Sequence, residues 1–225
     1  MENNIKMGRD ALFDLLRSYG MLVKKTKRYH ITTDSNHGFY KSPNLIKDIE
    51  ITHSEQVFVS DITYIKTDRG HAYLAVVTDA YSKKLMGWAL DDNMKATLVV
   101  NALGMAVKNL KFKHESIIHH SDRGIQYWCP EFTDFAGKNN FILSTTQQYD
   151  PYENAVAERI NGILKYEFGL KNTIKNVKLA RQLTKQAVGI YNGQRLHWSL
   201  GLETPEYIHN MYNPIKHKFY KREPA

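Results

Sequence analysis

Apolar and polar residues alternate along 56–66 (QVFVSDITYIK) and 71–79 (HAYLAVVTD), and both runs are rich in β-branched and aromatic side chains. Both are therefore predicted strands, joined by the turn Thr67-Asp68-Arg69-Gly70. A third strand is predicted over 83–91 after a second polar turn, and then the period changes. A helix is predicted over about 94–110, a short strand over 115–121, a helix over about 131–139 opened by Pro130, and a strand over Phe141–Ser144. Two further helices are predicted, over about 152–168 and 173–192. Three antiparallel strands followed by alternating helix and strand describe an α/β fold, a mixed five-stranded sheet flanked by helices. Upstream, Ala11, Leu12, Leu15 and Leu16 form one stripe of a helix over 8–18, with a stop signal at Tyr19-Gly20. Residues 21–33, basic between Lys24 and Arg28, read as a hairpin or wing, and 34–54, with Gly38 and Pro43, as a linker.

Composition adds little until charge is located. The 225 residues are 42% hydrophobic and 24% charged, a globular balance with ample length for a core. No run of about eighteen apolar residues exists, so no spanning helix is expected, and the opening MENNIKMGRD has no apolar signal segment. A single cysteine, Cys129, closes no internal disulfide and builds no multi-cysteine zinc site. A cytoplasmic protein with no membrane partner is expected. The net charge of +8 is uneven: residues 1–52 carry 9 Lys/Arg against 6 Asp/Glu, residues 53–158 carry 10 against 13, and residues 159–225 carry 12 against 4. A basic tail thus follows an acidic middle, as expected if the tail binds a polyanion and the middle a cation. A solvated pair of basic helices would have the same composition.

Three carboxylates stand out. Asp61 lies in a strand whose two faces are both apolar, Val57, Val59, Thr63 and Ile65 on its own side and Phe58, Ile62 and Tyr64 on the other. An ionised carboxylate there costs several kcal/mol unless it is paired, hydrogen-bonded or holding a cation. Asp122 ends the predicted strand before HHSDRGIQY, at the strand end where open α/β sheets place ligands, although Asp-Arg-Gly is also a good turn. Asp79, in VVTDAYS, reads as a turn residue. Glu158 shares a helical stripe with Asn161, Gly162 and Lys165, beside the apolar stripe Val156, Ile160, Ile163, Leu164 and Phe168. Gly162 costs about 1 kcal/mol relative to Ala in a helix interior, which hints at a close approach by something bulky. Lys165 projects about 10 Å along the axis from Glu158, far enough to meet a substrate phosphate. Oxygen ligands from a strand, a strand end and a helix suit a pair of Mg²⁺ ions, which take few protein carboxylates and can activate both oxygens of an in-line phosphoryl displacement. A solvated Glu158 and Lys165 would leave the same spacing.

Sixty residues separate Asp61 from Asp122 and thirty-five separate Asp122 from Glu158, within SDITYI, IHHSDRGIQY and ENAVAERINGILKYEF. In this order the three contexts resemble the integrase-core (DDE) transposases of the bacterial insertion sequence 3 family, similar in core to retroviral integrases. The resemblance continues into YNGQRLHWSLGLETPEYI and covers nearly the whole chain from about Gly8. It implies a ribonuclease-H-like fold, Asp61, Asp122 and Glu158 as the metal-binding catalytic triad, and two Mg²⁺ or Mn²⁺ ions. It implies cleavage and strand transfer at the ends of an insertion element, with self-association on DNA. It also implies a longer N-terminal region, so residues 1–33 are expected to be the remnant of a helix-turn-helix in a truncated or frame-split chain that an upstream-frame protein would complement. The remaining segments are then a linker over 34–54, the catalytic core over 55–172 and a basic helical extension over 173–225. Many family members have Asp-Asn-Ala where this chain has Glu153-Asn154-Ala155, which leaves Glu153 as a rival metal ligand. Competing readings are a nuclease for RNA–DNA hybrids and a DNA-binding remnant without chemistry.

Lys165 matches the basic residue seven positions beyond the glutamate that is thought to contact the transposon end. Asn161, Lys171, Lys175 and Arg195 are further expected DNA contacts, with Lys178, Arg181 and Lys185 able to continue a phosphate track. Of His119 and His120, adjacent and so on opposite faces of their strand, one is expected near the metals or DNA. Tyr127, Trp128, Tyr149 and Tyr152 could stack on bases or fill the core.

Overall fold

The computed structural model describes residues 7–22, 42–112, 114–147 and 154–211. The chain divides into two compact units, Met1–His30 and Ile31–Ala225. In the first, helix α1 (Arg9–Ser18) ends at Tyr19, and Gly20 follows with φ +66°, the stop expected from Tyr19-Gly20. None of its residues is buried, and Leu12, Phe13 and Leu15 stand exposed. The predicted hairpin or wing lies outside the described residues from 23 onward.

The second unit is built on one sheet. Strands β1 (Val57–Thr67), β2 (Gly70–Asp79) and β3 (Leu85–Asp91) form the antiparallel meander. Then come α2 (Ala96–Lys108), β4 (Ile117–Ser121), α3 (Pro130–Lys138), β5 (Phe141–Thr145), α4 (Ala155–Tyr166), α5 (Val177–Gly193) and a short α6 (Pro205–Asn210). The sheet order is β3-β2-β1-β4-β5, with β4 parallel to β1 and β5 parallel to β4. Every predicted strand and helix of this unit is present. Strand β3 begins two residues later than predicted because Lys83, at φ +62°, belongs to a turn in which its N–H reaches Asp79 O at 2.9 Å. Helix α6 was not anticipated; Pro205 opens it and Thr204 Oγ1 accepts from Tyr207 N at 3.2 Å.

The alternation along β1 sorts the core into layers. Phe58 and Ile62 pack with α2, α3 and the β4–α3 connection, whereas Ile65 packs with α4 and α5, and Val57 and Val59 with Ala157 of α4. Helix α2 lies close on β3 at Gly87, where a Cβ would sit 2.1 Å from Ala102 O. Only glycine fits there, and the small Ala102 and Ala106 complete the contact. Tyr127 and Trp128, at 2% and 5% exposure, fill the core rather than offering faces to a base. Tyr149 and Tyr152 lie outside the described residues.

The basic region packs on the same sheet. Helix α5 buries Ala180, Thr184, Ala187, Val188 and Tyr191. Asn192 engages both backbone groups of Leu85, at 2.9 Å each, and Arg181 Nη2 donates to Leu90 O at 2.8 Å. These bonds occupy the free edge of β3, which would otherwise be a template for pairing with another chain. Among the described residues, no helix is long and apolar enough to cross a membrane.

Candidate active site

The parallel pairing of β1 with β4 runs from Val57↔Ile118 to Ser60↔Ser121 and stops there. Asp61 and Asp122 are the next residues on the two neighbouring strands, at the switch from the antiparallel to the parallel half of the sheet. Asp61 is half-buried. Its Oδ1 accepts from Ile62 N at 2.9 Å and its Oδ2 from Asn161 Nδ2 at 2.8 Å. Burial and the negative charge of Asp122 push the Asp61 carboxyl up, the two hydrogen bonds pull it down, and Glu158 adds a smaller upward push; the result is about 7. Asp122 Oδ1 accepts from Gly124 N at 3.0 Å, so the turn role read from Asp-Arg-Gly is real and coexists with its place beside Asp61. Glu158 stands exposed in the first turn of α4, and partial desolvation raises its carboxyl above the ordinary range.

The structure thus places Asp122 and Glu158 where the charge of each acts on Asp61, and Lys165 where its ammonium opposes them. Among the described residues, no three carboxylate, imidazole or thiol side chains converge as a closed ligand set. The donors are nevertheless all hard oxygens, and burial beside like charge raises the Asp61 carboxyl, which suits a hydrated divalent cation completed by water and phosphate oxygens. Glu153, the rival ligand, lies outside the described residues.

The other expected residues divide. Lys165 is half-buried, with Nζ 4.2 Å above the Tyr64 ring. Burial lowers its ammonium, Asp61 opposes that, and Lys171 adds to it, so Lys165 lies within electrostatic reach of Asp61. Asn161 is buried and turned to Asp61, an inward role that its place on the Glu158 stripe did not reveal. Gly162 has no atom within 4 Å of the position a Cβ would take; the close neighbour inferred from the sequence is not supplied by the described residues. Lys175, Lys178 and Lys185 are exposed, and Lys171 Nζ lies 4.7 Å above the Tyr166 ring. Arg195 is held bidentately by Glu167 at 2.7 and 2.9 Å, and Arg181 is spent on the β3 edge.

Both histidines are buried structural groups. His119 packs against Tyr127, Phe132 and Phe141 and is hydrogen-bonded through Nε2 to Ser60 Oγ at 2.7 Å; burial, with the neighbouring His120, pushes its imidazole down to about 3. His120 Nδ1 meets Ser144 Oγ at 2.9 Å. Sequence reading overlooked Asn154, which is buried and donates from Nδ2 to Ser60 O at 3.2 Å. The helix expected from about 152 took Asn154 in, whereas α4 begins at Ala155, and the tie of Asn154 to a strand 94 residues away has no local signature.

Comparison with known proteins agrees with this geometry. Two family models described as "Integrase core domain" match residues 51–151 and 140–205. The chain is 32% identical over 216 residues to an insertion element IS600 31 kDa protein of Shigella sonnei, covering 95% of this chain and 79% of that one. It is 28% identical to the transposase for insertion sequence element IS629 of the same organism, covering 94% and 71%. It is 33% identical over 153 residues to transposase InsF for insertion sequence IS3A of Escherichia coli K12, covering 68% and 53%. In fold it resembles a chain of a simian T-cell lymphotropic virus intasome, with TM-score 0.62 and 20% identity over 84% of this chain and 65% of that one. It also resembles the HTLV-2 integrase catalytic core domain in complex with magnesium, with TM-score 0.54 and 19% identity over 70% and 97%. The sheet order, the switch-point carboxylates and these relatives agree: the chain belongs to the integrase-core transposases of bacterial insertion sequences, of the insertion sequence 3 kind, on a ribonuclease-H-like fold, and serves DNA transposition.

Proposed function

We propose that Asp61, Asp122 and Glu158 are the catalytic carboxylates of a polynucleotidyl transferase that nicks DNA at the ends of an insertion element and joins the freed 3′-hydroxyl to target DNA. The observation that carries this reading is electrostatic: Asp61, on the central strand, feels the charges of both Asp122 and Glu158, and its carboxyl rises to about 7. The three residues would hold two divalent cations, magnesium or manganese, which when bound neutralise phosphate oxygens and activate the attacking oxygen.

The chain's own residues do the positioning. Asn161 donates to Asp61 Oδ2 and so fixes the plane of that carboxylate. Lys165, desolvated beside Tyr64 and attracted by Asp61, offers a cation that a DNA phosphate can share. The bare surface at Gly162 lets a phosphodiester backbone approach α4, and exposed Lys171 and Lys175 extend the basic track beyond it. Arg195, engaged by Glu167, is left out of that track. Water attacks at the element end and frees a 3′-hydroxyl; that hydroxyl then attacks a target phosphodiester, with no covalent enzyme intermediate, and several copies assemble on the paired ends. Alignment and electrostatic stabilisation carry the rate.

The test is joining of labelled element-end DNA with Mg²⁺ or Mn²⁺, with and without an added upstream helix-turn-helix module. Metal-dependent joining that vanishes in Glu158→Gln supports the reading. Activity without metal, full activity in that variant, hydrolysis of RNA–DNA hybrids without joining, or duplex binding with no joining under any condition would overturn it.

A further inference from the structure

Resting on that reading of the site, we propose that Ser60 is the joint that locks the three carboxylate-bearing elements together, with Asn154 and His119 as positioning residues for Glu158 and Asp122. Ser60 is 1% exposed and immediately precedes Asp61. Its carbonyl accepts from Asn154 Nδ2 at 3.2 Å, and its Oγ is hydrogen-bonded to His119 Nε2 at 2.7 Å. Asn154 stands directly before the first residue of α4, and Glu158 follows in that helix's first turn. His119 lies on β4, three residues before Asp122. One residue of β1 is therefore tied to both other carriers of a carboxylate.

The tie adds a directional constraint to the packing of α4. Helix α4 meets the core through Ala157, Ile160, Ile163 and Leu164, and apolar burial fixes which face turns inward but is non-directional. Asn161 ties the second turn of α4 to the Asp61 side chain, and Asn154 ties the start of the helix to the backbone of β1. A hydrogen bond is directional, so the Asn154 carboxamide pins the start of the helix to the peptide that joins Ser60 to Asp61. On the other side, the β1–β4 ladder ends at Ser60↔Ser121. The His119 ring, wedged among Tyr127, Phe132 and Phe141, holds that last rung from the opposite face of the sheet. Asn154 Oδ1 is buried with no hydrogen-bond partner among the described residues.

The experiment compares the full chain with Asn154→Ala, Ser60→Ala and Ser60→Thr. It reads Mn²⁺ affinity from the free-ion paramagnetic resonance signal, joining rate at saturating DNA, DNA affinity in EDTA, and the melting midpoint. Ser60→Ala keeps the carbonyl and loses the hydroxyl; Ser60→Thr keeps both. Asn154→Ala and Ser60→Ala should each weaken Mn²⁺ binding and slow joining by about 10- to 100-fold. Their DNA affinity should stay within about twofold, and Ser60→Thr should restore both losses. Unchanged Mn²⁺ affinity in Asn154→Ala and Ser60→Ala, with the wild-type chain binding Mn²⁺ and joining DNA, overturns the joint while leaving the site reading intact. So does a loss that merely tracks the unfolded fraction. A wild-type chain that binds no Mn²⁺ and joins no DNA overturns both.

Discussion

Glu55 and Asp61 stand six residues apart, both withdrawn from water, and their carboxyls move in opposite directions. Glu55 is wholly buried, which alone would raise it. It instead receives His209 Nε2 at 3.1 Å, His114 Nε2 at 2.8 Å, and the backbone N–H groups of Lys111 and Phe112 at 2.8 and 3.1 Å, and falls to about 2. Nearby Asp79 accepts from Ser82 N, Ser82 Oγ and Glu55 N, although burial still leaves its carboxyl above the ordinary value. Asp61 has two donors and two acidic neighbours, and rises to about 7. The first cluster meets the charge it buries with donors from four parts of the chain. The second sets like charges beside one another, so that each acts against the Asp61 carboxylate. Like charge close by, rather than burial alone, is what distinguishes Asp61 from Glu55.

Exchanging each charged residue for its amide isolates the difference. Asp61→Asn should cut strand transfer by on the order of 10³-fold or more, measured as joined product per minute, because a metal site short of one carboxylate forfeits several kcal/mol of stabilisation. The same change should raise the metal-free melting midpoint by roughly 2–4 °C through relief of repulsion, and a drop in that midpoint would count against the electrostatic account. Asn161→Ala, which removes the side-chain donor from Asp61 alone, should slow joining by about 10- to 100-fold with DNA affinity little changed. Equal loss of DNA affinity would return Asn161 to the role first read for it.

Glu55→Gln should behave in the opposite way to Asp61→Asn. It should lower stability at neutral pH by about 2 kcal/mol, the scale of hydrogen bonds to a charged group, with activity following the folded fraction. The depressed Glu55 carboxyl makes its contribution fully present above the ordinary value of 4.5 and lost as pH falls toward about 2. Denaturant melts across that window should therefore show a flatter acid limb in the variant, and parallel curves would refute the assignment. The smallest effect is expected at Lys171 and Lys175. Alanine at either should weaken DNA binding uniformly across sequences and reduce the salt slope by about one. A change in sequence preference instead would place them at base edges.

Much of the core's architecture could be read before folding was known. The alternation in β1 and β2, Pro130 at the head of α3 and the stripe of α4 are local patterns, and each element appeared within a few residues of its expected place. Glu55, by contrast, sits in an unremarkable HSEQ stretch, and its φ of +65° and complete burial have no local signal. The pairing of Arg195 with Glu167, 28 residues away, had no local signal either, and the fold alone brings the two together. Gly87 looked like any glycine in a strand until α2 came to lie across it.

The order of residues by itself determined where strands and helices form, which of their faces are apolar, and which carboxylates are costly to bury. These depend on backbone period and side-chain direction, both properties of a few neighbouring residues. Only the tertiary structure decided that Asp122 ends beside Asp61, that Asn161 and Asn154 reach β1 from 100 and 94 residues away, and that Arg181 meets Leu90 and Arg195 meets Glu167. Such partnerships are settled by strand register and by the docking of whole faces, and a directional bond between distant residues leaves no periodic trace in either segment.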